Sequence, residues 1–545
     1  MRNDVIFPPE RAVAARAGGF WRDKTLVDDL ARNLAEHPDR LAVTAYNSMT
    51  GRECRLSTRE LDDRARRIAT GLLRRGIERG DVVSAQLPNW WKMIALYLAV
   101  LRVGAIINPL MPIFRERELG FMLAQAESKL IVAPERFRNC DHASMLQGLQ
   151  SSLPHLRHVL VIGAKEPNSF ERMLENEPAG DEAFADRRAT PDDVMEVLYT
   201  SGTTGEPKGV MHTSNTLMAN LWQHLKLWGL GASDVTLMSS PLAHQTGLQY
   251  GVLGPIMTGG RVVLQDVWNP DEAVNLIERE GVTFSIGSTP FLADLLDAAK
   301  GRPQALHTLR TFGAAGAPIP RHLVSRAADD FGLKIHSVWG MTEMGAATFT
   351  GPDDPPSRAL ETDGRPAPGM ELRIADPNGR PLPHDTEGRL MARGAAGMFV
   401  GYMKRPQWYV TDDEGWFDTG DLARIGADGY IRITGRSKDV IIRGGENIPV
   451  IEIENLIYQH PAVAEVAIVA MPDPRLNERG CAFVALRRGQ ALDLAELSQY
   501  LLSRQCAKNY LPERLEVVDA LPRTASGKIQ KFVLREKARA FGSIE

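Results

Sequence analysis

Up to about residue 350 the chain alternates short β-rich runs with amphipathic helical runs, and few architectures accept that order. Ser57-Thr58-Arg59-Glu60 reads as a capping box: the serine hydroxyl can accept from the amide three residues on, while the glutamate reaches back. It predicts a helix running to about Arg75 and stopping at Gly76. A strand over 82–87 follows, then Asn89 as a cap and a helix over 90–101 ending near Gly104. Further strands are expected over 235–239, 261–265, 283–287 and 334–339, with helices over 270–280 and from Pro290. This pattern calls for parallel sheets covered by helices on both faces.

After about Gly351 proline, glycine and aspartate become frequent, and short alternating runs appear over 371–375 and 430–434. These suggest an antiparallel barrel or meander. Beyond a charged break at 435–439 a separate α+β pattern begins: helix 450–459, strands 463–470 and 482–486, helix 492–503. The expected fold class is α/β. A large N-terminal domain covers 1–435, with βαβ subdomains to about 350 and a β-rich part over 351–435. A hinge occupies 436–439, and a small C-terminal domain covers 440–545.

The length of 545 residues fits this division, since it exceeds one ordinary core and suggests about three to four domain-sized units. With 64 basic against 68 acidic residues, the net charge of -4 gives no support for a general nucleic-acid binder. Cys54, Cys140, Cys481 and Cys506 are far apart and form no C-x-x-C pair, so neither a zinc cluster nor a disulfide framework is expected, and a reducing, cytoplasmic setting is. Charged residues from Arg2 to Arg16 leave no apolar stretch for a signal peptide. The longest apolar run, 93–101, is stopped by Arg102. A bilayer needs about 20 residues, so the run predicts a buried helix and no membrane span.

The densest chemical signal is Tyr199-Thr-Ser-Gly-Thr-Thr-Gly-Glu-Pro-Lys-Gly209, directly after a β-like run at 194–198. Glycines let backbone amides approach phosphate oxygens, hydroxyls donate further bonds, and one lysine adds a point charge. The loop lacks the Gly-Lys-Ser/Thr ending of a Walker A sequence, because Lys208 is followed by Gly209. Five more segments follow in order: Trp339-Gly-Met-Thr-Glu343, Trp416-Phe-Asp-Thr-Gly-Asp-Leu422, Gly435-Arg-Ser-Lys-Asp-Val440, Arg443-Gly-Gly-Glu-Asn-Ile448 and Pro522-Arg-Thr-Ala-Ser-Gly-Lys528.

With these six segments at matching order and spacing, the chain resembles the adenylate-forming superfamily of acyl-CoA synthetases, luciferases and peptide-synthetase adenylation domains over nearly its whole length. The resemblance implies an ATP-dependent acyl-CoA ligase that uses ATP, Mg2+ and CoA. A carboxylate attacks the α-phosphate of ATP, pyrophosphate leaves, and CoA then displaces AMP from the acyl-adenylate. Such a step brings two anions together, so positive charge and donors aimed at the phosphate lower its barrier.

By the same resemblance Thr200, Ser201, Gly202, Thr203, Thr204, Gly205 and Lys208 hold the β- and γ-phosphates. Thr342 contacts the α-phosphate, and Glu343 with Thr204 serves Mg2+, a hard cation suited to oxygen ligands. Gly313, Ala314, Ala315, Trp339 and Gly340 lie about the adenine. Asp421 accepts from the ribose hydroxyls with Arg436 assisting, and Lys528 is the catalytic lysine that compensates charge during adenylation. Lys438 is the pivot of a rotation that withdraws Lys528 and brings Gly444 and Gly445 to the pantetheine arm of CoA. His244 belongs with the catalytic set as a gate or substrate contact, with no proton-transfer role. Gln245, Gly247, Met341 and Gly345 line the acyl pocket. Gln245 stands where amino-acid-activating relatives carry aspartate, which argues against an amino-acid substrate.

Plainer readings of the same residues stay open at this point. Glu343 would also suit a helix cap, Asp421 a turn after Gly420, and Trp339 a core position. Lys528 lies in a basic tail with Arg523, Lys531, Arg535, Lys537 and Arg539, where a lysine is ordinarily solvated. Gly313-Ala-Ala-Gly-Ala-Pro318 would equally serve a close helix–strand contact. The expected acyl pocket offers no lysine or arginine for a second carboxylate, which favours an apolar monocarboxylic acid, medium-chain or alicyclic such as cyclohexanecarboxylate. An aryl acid as substrate and a carrier-protein phosphopantetheine as acceptor are the alternatives. The expected partners are small molecules, with a homodimer left open.

Overall fold

The computed structural model describes residues 5–541 apart from 7, 165–166, 201–206, 317–318, 320, 438, 444–445 and 525–526. Its largest sheet has nine strands. In spatial order they are Arg365–Pro366, Gly345–Phe349, Lys334–Met341, Thr311–Ala315, Phe284–Gly287, Val235–Met238, Arg261–Gln265, Leu41–Asn47 and Arg52–Ser57. The run from Lys334–Met341 to Leu41–Asn47 is parallel, and antiparallel strands close both edges. A second sheet runs Lys208–Thr213, Val194–Thr200, Ile106–Pro109, Val82–Ala85, Leu130–Pro134, His158–Ile162, parallel except for the first pair.

Local sequence explains many of these elements. Helix Thr58–Arg74 carries the expected box, with the Ser57 hydroxyl accepting from the Glu60 amide and the Glu60 carboxylate accepting from the Ser57 amide. Helix Pro270–Glu280 starts on an Asn269 cap and ends at Gly281, whose φ of 64° suits a residue without Cβ. The apolar run forms helix Trp91–Arg102, buried from Met93 to Arg102 in the largest hydrophobic cluster. Among the described residues no helix is long and apolar enough to cross a membrane.

Asn89 does not cap that helix. Trp90 takes the N-cap position without a side-chain bond. The Asn89 amide instead donates to the carbonyls of Ser240 (2.9 Å) and Gln265 (3.1 Å), and its oxygen accepts from the Leu242 amide (2.9 Å). A buried amide is fully used when it ties together segments that would otherwise leave backbone groups unpaired.

The β-rich stretch is a four-stranded antiparallel meander, Met370–Ala375, Gly388–Gly394, Phe417–Ile425 and Ile431–Arg436. After it comes a five-stranded sheet. Glu446–Ile448, Ile441–Arg443, Asn477–Leu486 and Val463–Asp473 pair in that order, and Arg514–Val518 adds in parallel to Asn477–Leu486. Helices Val450–Tyr458 and Leu494–Ser503 pack on this sheet through a cluster that includes Ile453, Ile457, Leu497 and Leu501.

Candidate active site

Two paired strands flank the glycine- and threonine-rich segment. Val194–Thr200 and Lys208–Thr213 pair antiparallel with Thr200 opposite Lys208, so these two residues stand at its mouth. Ser201, Gly202, Thr203, Thr204 and Gly205 lie outside the described residues, as do Lys438, Gly444 and Gly445. The Lys208 ammonium sits 5.0 Å from the Tyr402 ring centroid and 5.3 Å from that of Trp408. Farther along the return strand, buried His212 spans two motifs. Its Nε2 lies 2.8 Å from the Thr342 carbonyl and its Nδ1 3.0 Å from the Thr216 hydroxyl. Burial pushes the His212 pKa down to about 4, so the ring is neutral and Nε2–H donates to Thr342.

Strand Lys334–Met341 delivers Trp339 and Gly340, and the turn that follows carries Thr342 and Glu343 before strand Gly345–Phe349. Gly340 has no room for a side chain, since a Cβ would stand 2.1 Å from the Gly345 carbonyl oxygen. Glu343 is only 5% exposed, and the Tyr402 hydroxyl donates to its Oε1 at 2.8 Å. Burial raises the Glu343 pKa, and the bond from Tyr402 opposes the rise. The residue lies between two strands, so the helix-cap reading does not hold.

Asp421 sits within strand Phe417–Ile425, directly across from Arg436, and is not a turn residue. Arg436 Nε lies 2.9 Å from Oδ1, and the Trp339 indole donates to Oδ2 at 3.0 Å. The carboxylate is 3% exposed; burial raises its pKa and the Arg436 charge counteracts this. Each oxygen keeps a further lone pair for a ligand hydroxyl. Trp339 is therefore both a buried residue and an orienting donor.

Lys528 reaches this group from the other end of the chain. It sits in a tight turn, its amide donating to Thr524 Oγ1 (3.1 Å) and its carbonyl accepting from the Thr524 amide (2.7 Å). Gly527, with φ +85°, packs so close to the strand–helix junction at Ser288 that a Cβ would stand 2.6 Å from Ser288 Oγ. The Lys528 side chain lies along Gly316, its Nζ 3.7 Å from where a Cβ there would be. Burial pushes the Lys528 pKa down, Arg436 adds to this, and Asp421 and Glu343 pull it back up. These three charges act on the lysine, and its side chain is half-buried against Gly316 rather than freely solvated.

The Lys528 charge also acts on His244. Burial first, then the Lys528 charge, pushes its pKa down to about 3, so it stays neutral across the physiological range. Its Nδ1 accepts from the Thr246 amide at 3.3 Å, leaving the proton on Nε2. His244 is neutral and committed to a cap. Next to it Gln245 is 5% exposed, and both ends of its amide lack a partner among the described residues.

The small residues of the expected adenine and acyl walls divide. Ala315 and Met341 are partly buried, whereas Ala314 is sealed into a helix-covered core cluster. Gly313 makes room for protein side chains, because a Cβ would meet Ile286 at 2.9 Å and Trp228 at 3.2 Å. The close-packing reading applies there. Gly247 is held by the Pro241 carbonyl, 2.0 Å from its virtual Cβ, and Gly345 (φ +66°) by the Gln249 amide.

Among the described residues no group of three or more His, Cys, Asp or Glu forms a metal cage. A single carboxylate such as Glu343 nevertheless suits Mg2+, which keeps waters and takes most ligands from substrate phosphates. Tyr402 and Trp408 were not legible as site residues. The only signal was aromatic density, with Phe399, Tyr402, Trp408 and Tyr409 close together.

The family model described as "AMP-binding enzyme" matches residues 30–403, and the model for the AMP-binding enzyme C-terminal domain matches 452–528. The medium-chain fatty-acid–CoA ligase of Escherichia coli (strain K12) is 37% identical over 540 residues, covering 98% of this chain and 94% of that protein. A salicylyl-CoA synthase / salicylate adenylyltransferase of a Streptomyces species is 36% identical over 547 residues, covering 98% and 97%. The ATP-bound crystal structure of MatB from Rhodopseudomonas palustris superposes with a TM-score of 0.84 at 28% identity, covering 95% of this chain and all of that one.

Proposed function

The chain belongs to the AMP-binding enzyme family and is an AMP-forming acid–thiol ligase; from that premise we propose that it joins a monocarboxylic acid, medium-chain or alicyclic, to CoA. The residue assignment is supported by the Asp421 cluster, in which Arg436 Nε lies 2.9 Å from Oδ1 and the Trp339 indole donates to Oδ2, and by the charges of Arg436, Asp421 and Glu343 that act on Lys528. Asp421 accepts from the ribose hydroxyls while Trp339 and Arg436 fix its orientation. Thr200, Lys208 and the loop between them receive the β- and γ-phosphates.

In the first half-reaction a carboxylate oxygen of the acid bonds to the α-phosphorus, and the bond to the bridging oxygen of pyrophosphate breaks. Lys528 would offset the charge built on the α-phosphate, a contribution largest where water is excluded. Glu343 and Thr204 would hold Mg2+, which supplies charge neutralisation for the phosphates when bound. In the second half-reaction the CoA thiol sulfur bonds to the acyl carbon and AMP leaves. Lys528 has no part in that step. A turn of the C-terminal domain (residues 440–545) about Lys438 would remove it and bring Gly444 and Gly445 to the thiol, as hinge closure does elsewhere.

The acid is read from the neutral lining of His244, Gln245, Gly247, Met341 and Gly345, which offers no counter-charge for a second carboxylate. A second reading, an aryl acid bearing a hydroxyl, is favoured by the unpartnered buried Gln245 amide and by the salicylate-acting relative. Buried amides left without partners are costly, and a polar substituent would relieve that cost. A panel of linear, alicyclic and hydroxylated aromatic acids with ATP, Mg2+ and CoA tests both. AMP release dependent on CoA with linear or alicyclic acids supports the first reading, and a preference for hydroxylated aromatics supports the second. Adenylate formation without turnover of CoA would point to a carrier-protein acceptor.

A further inference from the structure

Lys208 and Glu343 lie on different motifs, 135 residues apart in sequence, yet one side chain touches both. The Tyr402 hydroxyl donates to Glu343 Oε1 at 2.8 Å while the face of its ring lies 5.0 Å from the Lys208 ammonium. Trp408, whose ring is set at 71° to that of Tyr402, forms a second wall 5.3 Å from the same ammonium. A cation over aromatic faces is attracted by the ring quadrupole and gains most where water is scarce. Tyr402 is 2% exposed.

The backbone fixes this arrangement. The segment holding Tyr402 is stitched to the strand that begins at Lys208: the Met403 amide donates to the Gly209 carbonyl (2.8 Å), the Met211 amide to Gly401 (3.0 Å) and the Val400 amide to Met211 (3.0 Å). One residue earlier, the Phe399 amide donates to the carbonyl of Glu343 itself (2.7 Å). Tyr402 is thereby pinned between the two groups.

We propose that Tyr402 is a positioning residue that registers the phosphate-loop lysine against the Glu343 carboxylate, with Trp408 completing an aromatic cradle for Lys208. The bond from the hydroxyl to Oε1 holds the carboxylate in one orientation. The two rings hold the ammonium at the loop mouth before nucleotide arrives, so less side-chain freedom is lost on binding. The inference rests on the roles given to Lys208 and Glu343 above.

The test separates ring from hydroxyl in the full-length protein. Tyr402→Phe keeps the cradle and frees Glu343. Tyr402→Leu loses both, and Trp408→Leu, at a less buried position, removes one wall alone. ATP binding in EDTA, read by equilibrium dialysis, reports the cradle; acid-dependent pyrophosphate exchange with Mg2+ reports adenylation. The expected result is binding in EDTA within twofold of the parent for Tyr402→Phe and weakened about fivefold or more for Tyr402→Leu and Trp408→Leu. In exchange, Tyr402→Phe lowers kcat about tenfold with little change in the KM for ATP, and Trp408→Leu raises that KM with little change in kcat. If Tyr402→Phe exchanges at the parental rate, or if Trp408→Leu binds ATP in EDTA as the parent does, the proposal is wrong. Lys208→Ala and Glu343→Gln run alongside: should these leave exchange intact, the underlying assignment falls, whereas their loss together with unaffected Tyr402 and Trp408 variants sinks this inference alone.

Discussion

Gly527 is one point at which the lysine-bearing turn meets the rest of the molecule, and Gly527→Ala makes that contact measurable. A methyl there would stand 2.6 Å from the buried Ser288 Oγ, well inside ordinary carbon–oxygen contact. Overpacking of this kind costs roughly 1–3 kcal/mol when neighbours must shift. The φ of +85° adds strain for alanine, but that strain belongs to the turn itself and applies whether or not the turn is docked. Only the clash is specific to the docked state. At about 1.4 kcal/mol per factor of ten, acid-dependent pyrophosphate exchange should fall roughly 5- to 150-fold. Conversion of supplied acyl-adenylate to acyl-CoA, for which the proposed mechanism does not need the docked lysine, should change less than about threefold. Adding Ser288→Gly removes the offending oxygen and should restore much of the exchange. Equal losses in both half-reactions, or no recovery in the double variant, would refute the claim that this contact places Lys528.

Two further outcomes follow from buried carboxylates. Trp339→Phe takes the donor from Asp421 Oδ2 without emptying the position; a lost hydrogen bond to a buried charged group costs about 1–3 kcal/mol, so the KM for ATP should rise at least several-fold with a smaller change in kcat. Glu196, on strand Val194–Thr200, is fully buried with only the Tyr97 hydroxyl as its partner among the described residues, and burial raises its pKa to about 8. A raised folded value means its contribution to stability is full below the unfolded pKa of about 4.5 and is lost as pH climbs to about 8. Glu196→Gln is neutral at every pH, so its melting temperature should gain on the parent between pH 5 and pH 8; a gap that stays constant with pH would contradict the burial argument.

Much of the fold was legible because its determinants are local. The Ser57 box, the Asn269 cap with Gly281, and the β-branched run at Arg261–Gln265 act within a few residues of themselves. Asn89 looked the same in sequence but was bonded to carbonyls of Ser240 and Gln265, about 150 or more residues away, and no local pattern encodes such a partner. The site shows the same division. Asp421, Glu343 and Lys528 stood out from the segments around them, and the charges of the first two bear on the third. Tyr402 and Trp408 were not, because an aromatic ring beneath a lysine depends on a strand pairing between residues 210 and 402. Gly313 carried a double reading that only the neighbouring Trp228 and Ile286 resolve.

The central claim is that one lysine serves adenylation and is idle in thioester formation. Measuring both half-reactions of Lys528→Ala, pyrophosphate exchange with the acid and acyl-CoA formation from supplied acyl-adenylate, tests it most directly. The account predicts that exchange falls by at least about 100-fold while the second step stays within a few-fold of the parent. Comparable loss of both, or exchange that persists, would contradict it.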